Sequence, residues 1–191
     1  CVCTKANEAK AKAAFEARGL HVKYTRGHKY VGGFVGSAKM LDRWIEPKDS
    51  AWVRAIEALA MIAKRYPHSA YVGMTTVLQA EWQYIMRCVP DIGPKLAPVE
   101  EAMRKVFIPA VLSVDTPIDD DFRMLLGQGA KQGGLALRNP VTGAERLHKA
   151  SLDANALLVS ALLANENVMT GEHRKCVRKA GADYREGRVE M

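Results

Sequence analysis

Apolar positions along the chain follow two different periods, and the change between them falls near Ser37. Before it the pattern is mixed. Cys1 to Thr4 alternates like the end of a strand, with Cys1 and Cys3 on one face and Val2 on the other. A helix is expected next: Asn7 can cap it, Ala11, Ala14, Phe15 and Arg18 follow near helical spacing, and Gly19 stops it in the left-handed conformation that a Cβ disfavours. Leu20, Val22 and Tyr24 then alternate with His21, Lys23 and Thr25, which predicts a half-buried strand. Arg26-Gly27-His28 turns the chain, and HKYVGGFVG, His28 to Gly36, resumes with strand formers around paired glycines. Residues 1–36 are therefore expected to be a β-α-β-β unit.

From Ser37 the period is 3.6 for most of the remaining chain. A first helix, beginning at Ser37 or Lys39, is expected to be interrupted at Pro47, and Trp52, Ile56, Leu59 and Ala63 form the apolar stripe of the next stretch. Pro67 opens a second, in which Tyr71, Met74, Leu78, Trp82 and Ile85 recur up to Pro90. After the turn VPDIGPKLAP, the set Val99, Met103, Val106 and Ala110 marks a third. Short links between them predict an antiparallel helical bundle over residues 37–113. Residues 114–191 are expected to extend it with a short helix around Phe122 to Leu126, the glycine-punctuated KQGGLALRNP as a connecting strand or turn, and helices over Ser151 to Leu163 and Thr170 to about Arg188. The fold class is then mostly α with a small β-α-β-β sheet, an α+β chain.

Composition narrows the class without changing this picture. At 191 residues the chain can bury a real core, and 48% apolar with 26% charged residues excludes intrinsic disorder, collagen-like repeats and mucin-like stalks. The longest near-apolar run, ALLVSALLA from Ala156 to Ala164, falls far short of the ~20 residues a spanning helix requires, so no membrane span is expected. Cys1, Cys3, Cys88 and Cys176 match no zinc spacing and follow no secretory leader, which predicts reduced thiols in an intracellular compartment, cytoplasmic or nuclear. The first residue is Cys, not Met. Processing could expose it as an amino-terminal nucleophile, but the preferred reading is a fragment of a longer chain. The five histidines are scattered, and neither a Gly-x-Ser-x-Gly elbow nor a His-Glu-x-x-His helix occurs, so no independent catalysis and no small-molecule substrate are expected.

The net charge of +7 is unevenly distributed: residues 1–36 hold seven basic and two acidic side chains. A clustered positive field concentrates polyanions, whereas a diffuse one mainly keeps a protein soluble. The glycine segment lies in this basic region. Gly32 and Gly33 contribute no packing, so a strand keeps them where it must bend, as in a bulge at a sheet edge, or where another backbone comes close. With Lys23, Arg26, His28 and Lys29 flanking, a glycine hairpin can offer N–H groups and positive charge to a sugar-phosphate backbone.

YVGGFVGS, placed after a helix and GLHVKYTRG, resembles the tyrosine-leucine-glycine segment that closes the palm of retrotransposon reverse transcriptases, especially the non-LTR and DIRS-like kinds, with Val31 in place of the usual Leu. The likeness continues through LQAEWQYIMRCVP, GPKLAPVEEAM and KQGGLALRNP. The last is similar to the arginine-glycine-glycine-leucine-glycine-leucine run after the thumb in that family, with Ala136 where Gly is common. It covers roughly residues 1–165 and rests on order and spacing rather than on any single motif. It implies that Tyr30, Gly32, Gly33 and Phe34 form the hairpin gripping the primer end, and that the helices from Ser37 to about Leu112 are a thumb holding an RNA or RNA–DNA template-primer duplex through phosphate and sugar contacts. Lys39, Arg43 and Lys48 are the expected duplex-facing charges on those helices.

In that family the aspartates that hold two Mg ions lie upstream of the glycine segment, so the resemblance implies no cofactor here, Mg in the full polymerase, and an upstream palm and fingers as partners. IDDDF, Ile118 to Phe122, is no substitute for them. Its carboxylates fall in a first helical turn, where they favour the positive end of the helix dipole and predict a cap. Trp44, Trp52 and Trp82 are at core spacing, and the basic run from Arg174 to Arg188 is interspersed with acids like a solvated helix. The rival from another class is a non-catalytic helical protein-interaction or scaffold module, whose helix stripes simply bury one another.

Overall fold

The computed structural model describes Cys1 to Glu186. Helices hold 72% of the described residues beside a two-stranded antiparallel sheet, so the expected class, mostly α with a small β component, is what forms. The chain divides into two compact units, Cys1–Ser50 and Ala51 onward, rather than at 36/37 and 113/114.

In the first unit, α1 (Lys5–Glu16) is followed by a hairpin of β1 (Gly27–Tyr30) and β2 (Gly33–Gly36), and then by the first half of α2 (Ala38–Ala63). Thr4, not Asn7, occupies the N-cap of α1. Gly19 takes the expected left-handed conformation, φ +67°. Two of the expected strands shrink to a single parallel bridge between Val2 and Thr25, in which the Thr25 N–H donates to the Cys1 carbonyl (3.0 Å) and the Cys3 N–H to the Thr25 carbonyl (3.2 Å). Leu20 to Tyr24, read as a strand from its alternation, is irregular. A strand needs a ladder, and Val2 is paired with Thr25 alone, which leaves Leu20 half exposed.

Pro47 does not interrupt α2. Pro47 and Arg43 are both exposed, so the Arg43 carbonyl that loses its i+4 donor can turn to water while the helix continues.

The second unit contains the other expected helices, two of them widened by a π turn. The run opened by Pro67 is α3 (Pro67–Gly73), a π segment (Met74–Leu78) and α4 (Gln79–Cys88). Inside it the Thr75 hydroxyl donates to the Tyr71 carbonyl (2.9 Å) and that of Thr76 to the Val72 carbonyl (2.6 Å), competing with the regular ladder where it widens. The next run is a 3-10 turn (Gly93–Leu96), α5 (Ala97–Ala102), a π segment (Met103–Phe107) and α6 (Ile108–Leu112). Pro109 explains this second widening, because its ring would meet the Lys105 carbonyl in a regular α-helix. Trp52, Ile56, Met74, Trp82, Val99 and Met103 are buried, as their stripes predict, whereas Val106, expected in the third stripe, is exposed and its neighbour Phe107 is buried at the end of the π segment. Trp52 lies edge-on to Trp82 at 5.9 Å and donates its indole N–H to Glu81 (2.7 Å).

The carboxy-terminal elements belong to the same body. Helix α7 (Asp120–Gly127) is capped by Asp119, which accepts from the Phe122 N–H at 2.7 Å, as IDDDF predicts. Helix α8 (Pro140–Ala164) packs on α4, on α5 and on α9 (Thr170–Glu186). Arg188, where α9 was expected to end, lies outside the described residues. KQGGLALRNP is a connector without a strand: a 3-10 turn at Ala130–Gln132 and then irregular chain, left-handed at Gly133 and Ala136, fixed by side chains. Tyr71 donates to the Leu135 carbonyl (2.9 Å), and Gln79 brackets Ala136 to Arg138 by donating to the Ala136 carbonyl and accepting from the Arg138 N–H. A Cβ on Gly134 would sit 2.2 Å from the Gln128 carbonyl oxygen, so that glycine is there for space.

Candidate nucleic-acid interface

All of the expected contact residues lie within the Cys1–Ser50 unit, which carries ten basic and five acidic side chains. The hairpin pairs in register, His28 with Val35, Lys29 with Phe34 and Tyr30 with Gly33, so Val31 and Gly32 alone make the turn. Both have positive φ, +45° and +79°, as the type I′ turn of a two-residue hairpin requires. The glycine pair is therefore neither a bulge nor an open cradle. Gly32 supplies the second left-handed position, while Gly33 is buried and paired with Tyr30, so its backbone serves the hairpin rather than offering a bare amide.

Opposed residues share a face, which sorts the side chains. His28, Tyr30 and Val35 form an exposed face, with Tyr30 70% and Val35 54% exposed. Val31 stands at the tip, 75% exposed. The opposite face turns Phe34 inward. Its ring stacks on Trp44 of α2 at 5.4 Å and is only 8% exposed, which corrects its expected place at a primer end. Lys48 extends the stack, its Nζ 5.2 Å from the centre of the Trp44 ring, so this charge is partly spent on an aromatic neighbour one helical turn away. Arg26 is likewise structural: its guanidinium pairs with Glu8 of α1 and donates to the Cys3 carbonyl (2.8 Å), tying the helix to the bridge.

Lys23, His28, Lys29, Tyr30, Lys39 and Arg43 remain exposed, and Gly32 is half-buried at the tip. Lys39 and Arg43 are one turn apart on α2. Register puts His28 on the face of Tyr30 and Lys29 on that of Phe34, so of the five exposed basic or imidazole side chains His28 is the one that shares the tyrosine's face of the hairpin. An exposed ring of this kind can lie against a base or sugar, and exposed cations can meet phosphates. Val31 and Val35 were not expected at the surface. The signal for Val35 was the hairpin register, which sets it beside His28; for Val31 it was the following Gly, the second residue of an x-Gly turn.

A β-branched residue at φ +45° carries a cost. Val31→Asn is expected to raise the stability of the chain by about 1 kcal/mol, because Asn tolerates the left-handed region. A thermal melt of the two proteins checks this, and no gain would mean that the turn is unstrained.

No known protein family, curated protein or solved structure matches the chain.

Proposed function

We propose that the chain is the end of the palm, the thumb and the following connection of a retroelement reverse transcriptase, and that it positions an RNA–DNA or RNA template-primer duplex inside the cell. The observation that carries this reading is the hairpin tip: Tyr30 projects 70% exposed beside a two-residue left-handed turn, in the more basic part of the chain. A second feature supports it. Ala136, at the position where the resembling run carries Gly, has φ +54°, a conformation that Gly takes without cost. Chemistry is assigned to the metal-binding aspartates that precede the hairpin in that family, so the isolated chain binds without polymerising.

The test is anisotropy of a labelled RNA–DNA hybrid across a salt series. Affinity should fall steeply with salt, and the triple variant Lys29→Gln/Lys39→Gln/Arg43→Gln should weaken binding about tenfold or more at low salt and flatten the slope by about 0.9 per lost phosphate contact. Tyr30→Ala should weaken binding with the slope unchanged. Equal affinity in all three proteins would defeat the proposal.

The scaffold reading draws on a different observation, the exposed apolar row Leu152, Val159 and Leu163 along α8, of which Leu163 is 84% exposed. It predicts a weak affinity for hybrid that these variants do not alter.

A further inference from the structure

The sequence of α9 intersperses cations and carboxylates, and the fold sorts them. His173, Cys176, Ala180 and Tyr184 recur at three and four residues and are its buried or half-buried positions, on the side that packs on α8. That stripe is therefore covered. On the opposite side Arg174, Arg178 and Arg185 fall within about 40° of one line and span about 16 Å of the helix axis. All three are exposed, and so is Lys179 beside them. The neighbours that share this side are Gly171, Gly181 and Ala182, so no large side chain stands over the guanidinium groups.

The carboxylates are placed elsewhere. Glu172 is held by Lys175 at 2.8 Å. Asp183 lies towards α8, where Lys149 has its pKa raised chiefly by the hydrogen bond and charge of Asp153 and also by the charge of Asp183. Arg174, Arg178, Lys179 and Arg185 form no ion pair among the described residues, so four cations stand against the one remaining carboxylate of α9, that of Glu186 at its end.

We propose that this face of α9 binds the phosphate backbone of a nucleic-acid duplex without reading its sequence. Guanidinium groups match phosphate oxygens in pairs, and a straight row of them follows a line of phosphates. A duplex carries about one negative charge per 1.7 Å of axis, a denser array than a single strand offers. The face also has no aromatic ring on which the bases of a single strand could stack, because Tyr184 is on the packed side. A lipid surface fits less well. An interfacial helix needs a free apolar face, and α8 covers this one except for Val177, which is 44% exposed. The inference does not rest on the hairpin: α9 lies in the second unit and beyond residues 1–165, over which the resemblance runs.

Anisotropy of a labelled RNA–DNA hybrid with the full chain, across a salt series, tests it. Arg174→Gln/Arg178→Gln/Arg185→Gln should weaken binding about tenfold at low salt and flatten the salt slope by about 2–3. Its melting temperature should be unchanged, since Gln and Arg form helices about equally well. Lys10→Gln/Lys64→Gln/Lys131→Gln removes the same net charge from three separate exposed positions and should change affinity less than about threefold. Glu172→Gln/Glu186→Gln should strengthen binding about two- to threefold, a gain that no loss of folding can produce. A single strand of the same length should bind more weakly, and phosphatidylserine vesicles at equal charge should not displace the hybrid. Equal weakening by the arginine and lysine variants, a single strand held as tightly as the hybrid, or displacement by vesicles would each overturn the proposal. Failure of the hairpin reading is distinguishable, because its variants Lys29→Gln/Lys39→Gln/Arg43→Gln lie in the first unit and would then leave affinity unchanged while the α9 variants still move it.

Discussion

Glu100→Ala is expected to destabilise the chain by about 3–5 kcal/mol, because it strands a charge in the interior. The Arg123 side chain is 3% exposed and that of Glu100 13%, and the two meet in a bidentate pair with both N–O distances at 2.6 Å. The remaining Arg123 donor reaches the Leu137 carbonyl (2.6 Å), so one guanidinium joins α7, α5 and the connector. Removing the carboxylate leaves that cation without compensation, whereas removing both charges does not. Glu100→Met/Arg123→Met should recover most of the loss, short of about 1 kcal/mol for the carbonyl that loses its donor. Urea unfolding at neutral pH measures all three proteins. A single variant costing under about 1 kcal/mol would show that water reaches the pair.

The helical half of this molecule was legible because periodicity reports burial directly. Trp52, Ile56, Trp82, Val99 and Met103 recur at helical spacing and are buried for that reason. Asp119 could be read as a cap because its effect is local to one turn. What escaped depended on partners distant in sequence. Leu20 to Tyr24 alternates like a strand but has no ladder to join, and alternation says nothing about whether a partner exists. Pro47 breaks a helix only where its freed carbonyl cannot reach water, a matter of which face it occupies. In the hairpin, the residue types that grip a nucleic acid also hold a fold together. Composition cannot separate Phe34 stacked on Trp44 from Tyr30 in solvent, or Arg26 paired with Glu8 from Lys29 exposed; register and the approach of α1 and α2 do.

Asp49 should make the protein less stable as the medium turns from acid to neutral, opposite to the usual effect of a carboxylate. Its side chain on α2 is 8% exposed, its Oδ1 has no hydrogen-bond partner among the described residues, and burial pushes its pKa from 3.8 up to about 6. The folded state therefore holds a proton that the unfolded chain has already released. Stability from this group is complete below about pH 4, is lost as pH rises through about 6, and is then constant, a total of about 3 kcal/mol for a shift of this size. Glu101, whose pKa is lowered by the hydrogen bond and charge of Lys105, acts in the opposite sense and below this window, because its contribution disappears only as pH falls through the ordinary carboxylate range. Asp49→Asn keeps the shape and removes the titration. It should stabilise the chain by about 2–3 kcal/mol at pH 7, by almost nothing near pH 4, and flatten the profile between. Unfolding midpoints in urea measured every half pH unit would reveal the difference. Parallel profiles for the two proteins would mean that Asp49 is solvated and ionises as an ordinary aspartate.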